Sequence, residues 1–238
     1  MFASQTWAEH KRYMMLNHNS GEHVLIAAPT GSGKSVLAIE ITDYEREGMH
    51  VVNMVTKPRD ESFEGPNMRH WDRIDVWDPK RDKPAPWMDR VLLWPKQLDT
   101  MHETLGNQKL VFRDALNSIF RVGKRRVVID ELHYMTDPSY LGLHSEVAIL
   151  HHMGRSLNVT MISLTQRPAW IPKIIYSSVS HAYIAQTKDK DDLKRLSDLG
   201  GVDGRAIADA VSKLPTKHDF LYVNPMGSHD PVVVNIRK

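Results

Sequence analysis

The stretch Ala28-Pro29-Thr30-Gly31-Ser32-Gly33-Lys34-Ser35 constrains this chain more than any other feature. It follows the apolar run Val24-Leu25-Ile26-Ala27 and precedes Val36-Leu37-Ala38-Ile39-Glu40-Ile41, whose apolar positions continue at helical spacing to Tyr44. Strand, glycine loop and helix is the predicted order. In that setting Gly31 and Gly33 let successive backbone N–H groups converge on a phosphate, and the helix N-terminus adds partial positive charge. Pro29, Thr30, Gly31, Ser32, Gly33, Lys34 and Ser35 form the candidate nucleotide cradle. Lys34 would reach the β- and γ-phosphates and the Ser35 hydroxyl would hold Mg²⁺. Ala28 stands where such loops usually carry their first glycine, which ordinary strand dihedrals would permit. A glycine-rich turn that binds nothing is the plain alternative, and the strand-to-helix setting argues against it.

The rest of the chain alternates in the same way. Strands are predicted at His50–Val55, Val91–Trp94, Arg126–Glu131, Val159–Leu164 and His181–Ala185, with helices over 105–120, 146–152, 191–199 and 204–214. Phe220–Val223 and Val232–Ile236 read as a closing antiparallel hairpin around Asn224-Pro225-Met226-Gly227. Residues 60–89, with prolines at 66, 79, 84 and 86, read as an irregular insertion carrying one strand near Arg73–Trp77. The expected fold is a three-layer α/β sandwich on a mostly parallel sheet, one motor domain over residues 1–238.

Composition only narrows the classes. The chain lacks cysteine, which excludes disulfide frameworks, thiolate catalysis and Cys-ligated metal centres. A net charge of +2 suits a polyanion-binding protein without requiring one. The opening residues lack a basic segment followed by an apolar one, and nowhere do enough apolar residues run together to span a bilayer. The expectation is a cytoplasmic chain, in the host cytoplasm if viral, with no membrane contact.

Arg126-Val127-Val128-Ile129-Asp130-Glu131 puts two carboxylates at the end of a buried strand, the edge where open α/β sheets bind ligands. Asp130 is expected at the Mg²⁺ shell, and Glu131 is placed to polarise a water for in-line attack on a γ-phosphate. A solvated helix cap is the plain reading of the same pair. No guanine-selecting Asn-Lys-x-Asp string is present, which favours ATP. Gln166 ends the next strand, in Thr165-Gln166-Arg167-Pro168, and is the candidate γ-phosphate sensor. Arg155 precedes that strand, so it lies at the opposite sheet edge and would serve a neighbouring copy's nucleotide; a surface salt bridge is the alternative.

Together these three blocks, the glycine loop, Val128-Ile129-Asp130-Glu131 and Gly154-Arg155 through Leu164-Thr165-Gln166-Arg167-Pro168, resemble the FtsK–HerA superfamily of DNA-pumping P-loop ATPases over residues 22–224. The resemblance implies a RecA-like core with an additional strand and a catalytic glutamate (ASCE), with Walker A and Walker B motifs at Ala28–Ser35 and Val128–Glu131. It also implies a pentameric or hexameric ring of identical subunits that threads double-stranded DNA at the expense of ATP. It leaves open whether Arg155 or Arg167 acts in trans. Without recognisable membrane anchor, winged helix or N-terminal barrel, the chain looks most like viral genome-packaging ATPases, whose partners would be a portal or procapsid. Candidate DNA contacts are the 135–142 loop, the bases Lys80, Arg81 and Lys83, and Lys124-Arg125-Arg126. The competing readings are an assembly ATPase acting on a protein partner in virion morphogenesis, resembling the occludens-toxin group, and a small-molecule kinase. His144, His151 and His152 do not fall at a familiar zinc spacing.

Overall fold

The computed structural model describes residues 2–42, 50–65, 68–78, 90–199, 203–226 and 229–237. The elements run β1 (Ala3–Thr6), α1 (Trp7–Asn17), β2 (His23–Ala27), α2 (Lys34–Thr42), β3 (His50–Met54), α3 (Glu61–Glu64), β4 (Asp72–Ile74) and β5 (Arg90–Leu93). They continue with α4 (Met101–Val122), β6 (Arg125–Ile129), α5 (Leu132–Thr136), α6 (His144–Leu157), β7 (Val159–Thr165), a 3-10 turn (Pro168–Trp170) and α7 (Lys173–Ser178). The chain closes with β8 (Val179–Ala185), α8 (Lys190–Leu196), α9 (Gly204–Ser212), β9 (Asp219–Val223) and β10 (Val232–Asn235).

Among the described residues the strands form one sheet in the order β1-β10-β9-β8-β2-β7-β6-β3-β5-β4. Every pairing is parallel except those of β9, which runs against both β8 and β10. The central strands β2, β6 and β7 are buried throughout, as strands covered on both faces must be. Alternation divides their side chains between two cores. Leu25, Ala27, Val127, Ile129 and Met161 face the helices α4, α6, α7, α8 and α9. Val24, Ile26, Val128, Ile162 and Leu164 face α1 and α2, through Trp7, Met14, Leu37, Ala38 and Ile41. That is the predicted three-layer sandwich with its antiparallel hairpin.

Register gathers the site. Ala27 lies opposite Thr165 and Ile129 opposite Ser163, so the glycine loop, Gln166 and the acidic pair leave the sheet at one edge. Crossovers that place β7 between β2 and β6 bring the three together.

Three local expectations are corrected, and one region is added. The helix predicted to stop near Gly154 runs on to Leu157, because Gly154 serves close packing instead of termination: a Cβ there would lie 2.5 Å from His23 Cε1 and 2.6 Å from the Val159 carbonyl. Asn158, left-handed at φ 54°, ends it. The stretch predicted as an irregular insertion is partly built in, since Phe63, Met68 and Trp71 are buried and β4 pairs parallel with β5; Lys80, Arg81 and Lys83 lie outside the described residues. Arg125 and Arg126 are buried, Arg125 over the Trp77 ring and Arg126 donating to the Ile41 carbonyl at 3.5 Å, so they offer no face to DNA. Finally, β1 and α1 extend the fold before the glycine loop: Thr6 and Glu9 form a capping box, and Trp7 donates to Glu40 at 3.1 Å. No helix among the described residues is long and apolar enough to cross a membrane.

Candidate nucleotide site

The loop between β2 and α2 adopts the backbone its sequence demands. Gly31 and Gly33 sit at φ 78° and 93°, the left-handed region where a side chain would be strained. Ala28 does not, and its N–H continues the ladder to the Thr165 carbonyl at 2.9 Å, so this position needs no glycine. The loop is braced from inside by Ser32, whose hydroxyl donates to the Pro29 carbonyl at 2.9 Å, and from outside by His218 Nδ1, 3.1 Å from the Ser32 carbonyl.

Lys34 opens α2 and is 5% exposed, yet no hydrogen bond or ion pair among the described residues engages its ammonium. Burial first, and the Lys57 charge second, draw it below the ordinary lysine value, against the pull of Glu131, Asp130 and Asp60. A buried ammonium without a close partner is costly unless an anion joins it. The glycine loop directly before it is shaped for such an anion.

Three residues from three different segments form a hydrogen-bonded bridge across this edge. Thr30 Oγ1 donates to Gln166 Oε1 at 2.8 Å, and Gln166 Nε2 donates to Glu131 Oε2 at 3.0 Å. Burial raises the Glu131 carboxyl above its usual value, opposed by the Lys34 charge and the Gln166 amide. Asp130 is fully buried, and burial raises it too, with Lys57 as the main opposing influence.

Lys57 belongs to no motif in the sequence, yet the structure places it in the site. Its ammonium lies 3.1 Å from Asp130 Oδ2 and 2.9 Å from Asp60 Oδ2. Its position after β3, the strand paired to β6, was the available signal.

The two arginines separate cleanly. Arg167 is tied within its own chain, 3.0 Å from Asp189 Oδ2 and 3.2 Å from Asp192 Oδ2, with its guanidinium over the Trp170 ring. Arg155 is exposed near the end of α6, against Gly21 at the opposite sheet edge, and its guanidinium makes no hydrogen bond or ion pair among the described residues. The site of its own chain is therefore built without it.

Mg²⁺ fits this donor set. Asp130 Oδ2 is buried without a hydrogen bond despite its ion pair, and the Ser35 hydroxyl takes none among the described residues. No group of three or more His, Asp or Glu side chains among the described residues is arranged to hold a metal alone. A hard cation held by one carboxylate, one hydroxyl and substrate phosphates is the usual way Mg²⁺ is bound with a nucleotide.

A glycine loop on a central strand, an unpartnered lysine at the head of the following helix and an acidic pair two strands away define the P-loop NTPase class of fold. Comparison with solved structures agrees. The chain is similar to the genome packaging NTPase B204 from Sulfolobus turreted icosahedral virus 2 in complex with AMPPCP, with a TM-score of 0.63 at 14% identity over 92% of this chain and 99% of that one. It is also similar to the pCW3 conjugation coupling protein TcpA with ATPγS, with a TM-score of 0.53 at 18% identity over 90% of this chain and 60% of that one. A third similar structure is the cytoplasmic domain of the Thermomonospora curvata type VII secretion ATPase EccC, with a TM-score of 0.53 at 15% identity over 92% of this chain and 25% of that one. No family model matches the chain, and no curated protein matches it in sequence.

Proposed function

We propose that this chain is an ATP hydrolase of the FtsK–HerA kind that works as a ring of identical subunits to move double-stranded DNA, and that the DNA is a viral genome being packaged. The observation that carries the enzymatic part is Lys34, buried at the head of α2 with no close partner and facing a Thr30–Gln166–Glu131 bridge. The likeness to B204 over nearly the full length of both chains supports the packaging part.

In this reading Gly31, Ser32 and Gly33 present backbone N–H groups to the phosphates, and Lys34 neutralises the β- and γ-oxygens. Glu131 accepts the proton of a water whose oxygen attacks the γ-phosphorus in line, as the bond to the β,γ-bridging oxygen breaks and ADP leaves. Gln166 holds the Glu131 carboxylate in place and reports the γ-phosphate to the rest of β7. Mg²⁺, when bound, would be held by Ser35 and Asp130 and would neutralise charge on the phosphates. Arg155, free within its own chain, is assigned to the nucleotide of the adjoining subunit, where it would stabilise charge on the transferring phosphoryl group.

The test is the ATPase rate with and without linear double-stranded DNA at two salt concentrations. A several-fold stimulation that shrinks as salt rises is expected, because phosphate contacts release counterions. A rate indifferent to DNA would contradict translocation and leave a protein-directed assembly ATPase.

A further inference from the structure

The proposed reaction leaves one charged group of the site without a task. Lys57 extends from the carboxyl edge of β3 into the space between Asp60 and Asp130. Its Nζ lies 2.9 Å from Asp60 Oδ2 and 3.1 Å from Asp130 Oδ2.

The backbone around Lys57 is fixed by hydrogen bonds of its own, independent of the two ion pairs that hold the side chain. The Lys57 carbonyl accepts from the Trp94 indole at 2.8 Å, the preceding Thr56 carbonyl accepts from Gln108 at 3.0 Å, and Pro58 follows. The side chain itself remains 34% exposed. It can therefore leave without disturbing the strand, whereas the fully buried Asp130 cannot move toward solvent.

Charge explains what Lys57 does there. Asp60, Asp130 and Glu131 bring three carboxylates together, and Lys34 alone would leave two of them uncompensated. Removing Lys57 would take the closest cation from the buried Asp130 carboxylate and leave a local excess of negative charge that favours a cation there. With Lys57 in place the most buried carboxylate already has a cation against it, on the very oxygen that lacks a hydrogen bond.

We propose that Lys57 is a built-in counter-ion that blocks free divalent cations from Asp130 while the nucleotide site is empty, so that metal enters only together with nucleotide phosphates able to displace the lysine. Lys57 is thus a positioning residue for Asp130 and a selectivity device for metal loading. The inference rests on the assignment of Asp130 to the metal.

The experiment titrates Mn²⁺, read by electron paramagnetic resonance, into nucleotide-free protein. The wild type should bind Mn²⁺ only weakly. Lys57→Gln should bind it at least about tenfold more tightly, Lys57→Arg should behave as wild type, and the gain should vanish in Lys57→Gln combined with Asp130→Asn. Circular dichroism and melting of each variant establish that it is folded. Should Lys57→Gln misfold, Lys57→Met replaces it with a side chain of similar length. Unchanged Mn²⁺ affinity in a folded Lys57→Gln or Lys57→Met protein would overturn the proposal, as would a gain that survives loss of Asp130. A separate titration of wild type with an ATP analogue distinguishes this outcome from failure of the nucleotide assignment, which would show as no analogue binding at all.

Discussion

Gln166 is the residue on which the site's geometry turns, because its one amide satisfies the loop through Thr30 and the acidic pair through Glu131. Replacing it with alanine leaves both partners without that bond and frees the Glu131 carboxylate to rotate. ATP affinity should change little and kcat should fall, a split that steady-state kinetics reads directly; a raised KM with kcat intact would place Gln166 in binding instead. Glu131→Gln removes the proton acceptor and should lower kcat by about 10²–10⁴-fold while analogue binding persists. At this scale the sequence was most informative. Lys34, Glu131 and Gln166 follow strands whose apolar runs are unmistakable, so their meeting at one edge follows from the fold class. Lys57 was illegible for the opposite reason: a lysine after a strand has no motif, and only the pairing of β3 with β6 shows which carboxylate it meets.

Among the elements, α6 shows how a glycine can mislead. Periodicity fixes its apolar face through Val147, Leu150 and His151, but a glycine inside a helix reads as a stop unless one knows what packs there. Here His23 and the Val159 carbonyl lie too close for any Cβ. Gly154→Ala should therefore destabilise the fold by about 1–3 kcal/mol despite alanine's better helix propensity, seen as a lower urea midpoint with the slope unchanged. A stabilised Gly154→Ala protein would show that the helix end can shift to accommodate the methyl group. Among the elements missed in the sequence, β1 is held by pairing with the distant β10 and α1 by distant partners such as Glu40 and Tyr183, and α1 has only a few buried positions, so no strong apolar run announces them. The long helix α4 is legible for the opposite reason: Val111, Phe112, Ala115, Leu116 and Ile119 repeat on one face, between the Thr100–Glu103 capping box and Gly123.

At the scale of the whole molecule, buried histidines link stability to acidity. Burial holds His10 and His18 near pKa values of about 3 and His23 near about 4, against an ordinary 6.5, and pushes His151 well below it. Well above pH 6.5 folded and unfolded chains both carry these rings neutral, and they add no pH dependence there. As pH falls from 6.5 toward 4 the unfolded chain takes up protons that the folded chain refuses, so stability falls, at most by about 1.4 kcal/mol per pH unit for each ring. The urea midpoint should accordingly be lower at pH 5.5 than at pH 7.5; equal midpoints would mean that these rings open to solvent in the folded state. Subunit sharing belongs to this scale as well. Mixing Arg155→Ala with Glu131→Gln subunits should restore part of the activity each lacks alone, because some interfaces then pair an intact arginine with an intact glutamate. Mixed rings that recover nothing would remove the trans assignment.

Hydrolysis, metal loading and subunit coupling all require a nucleotide on the glycine loop with its phosphates on Lys34. Equilibrium titration with a fluorescent nonhydrolysable ATP analogue tests that requirement, comparing wild type with Lys34→Ala. Saturable one-site binding by the wild type, weakened roughly 100-fold in the variant, is the expected result. Equal affinity in both proteins, or no binding by the wild type, would contradict it.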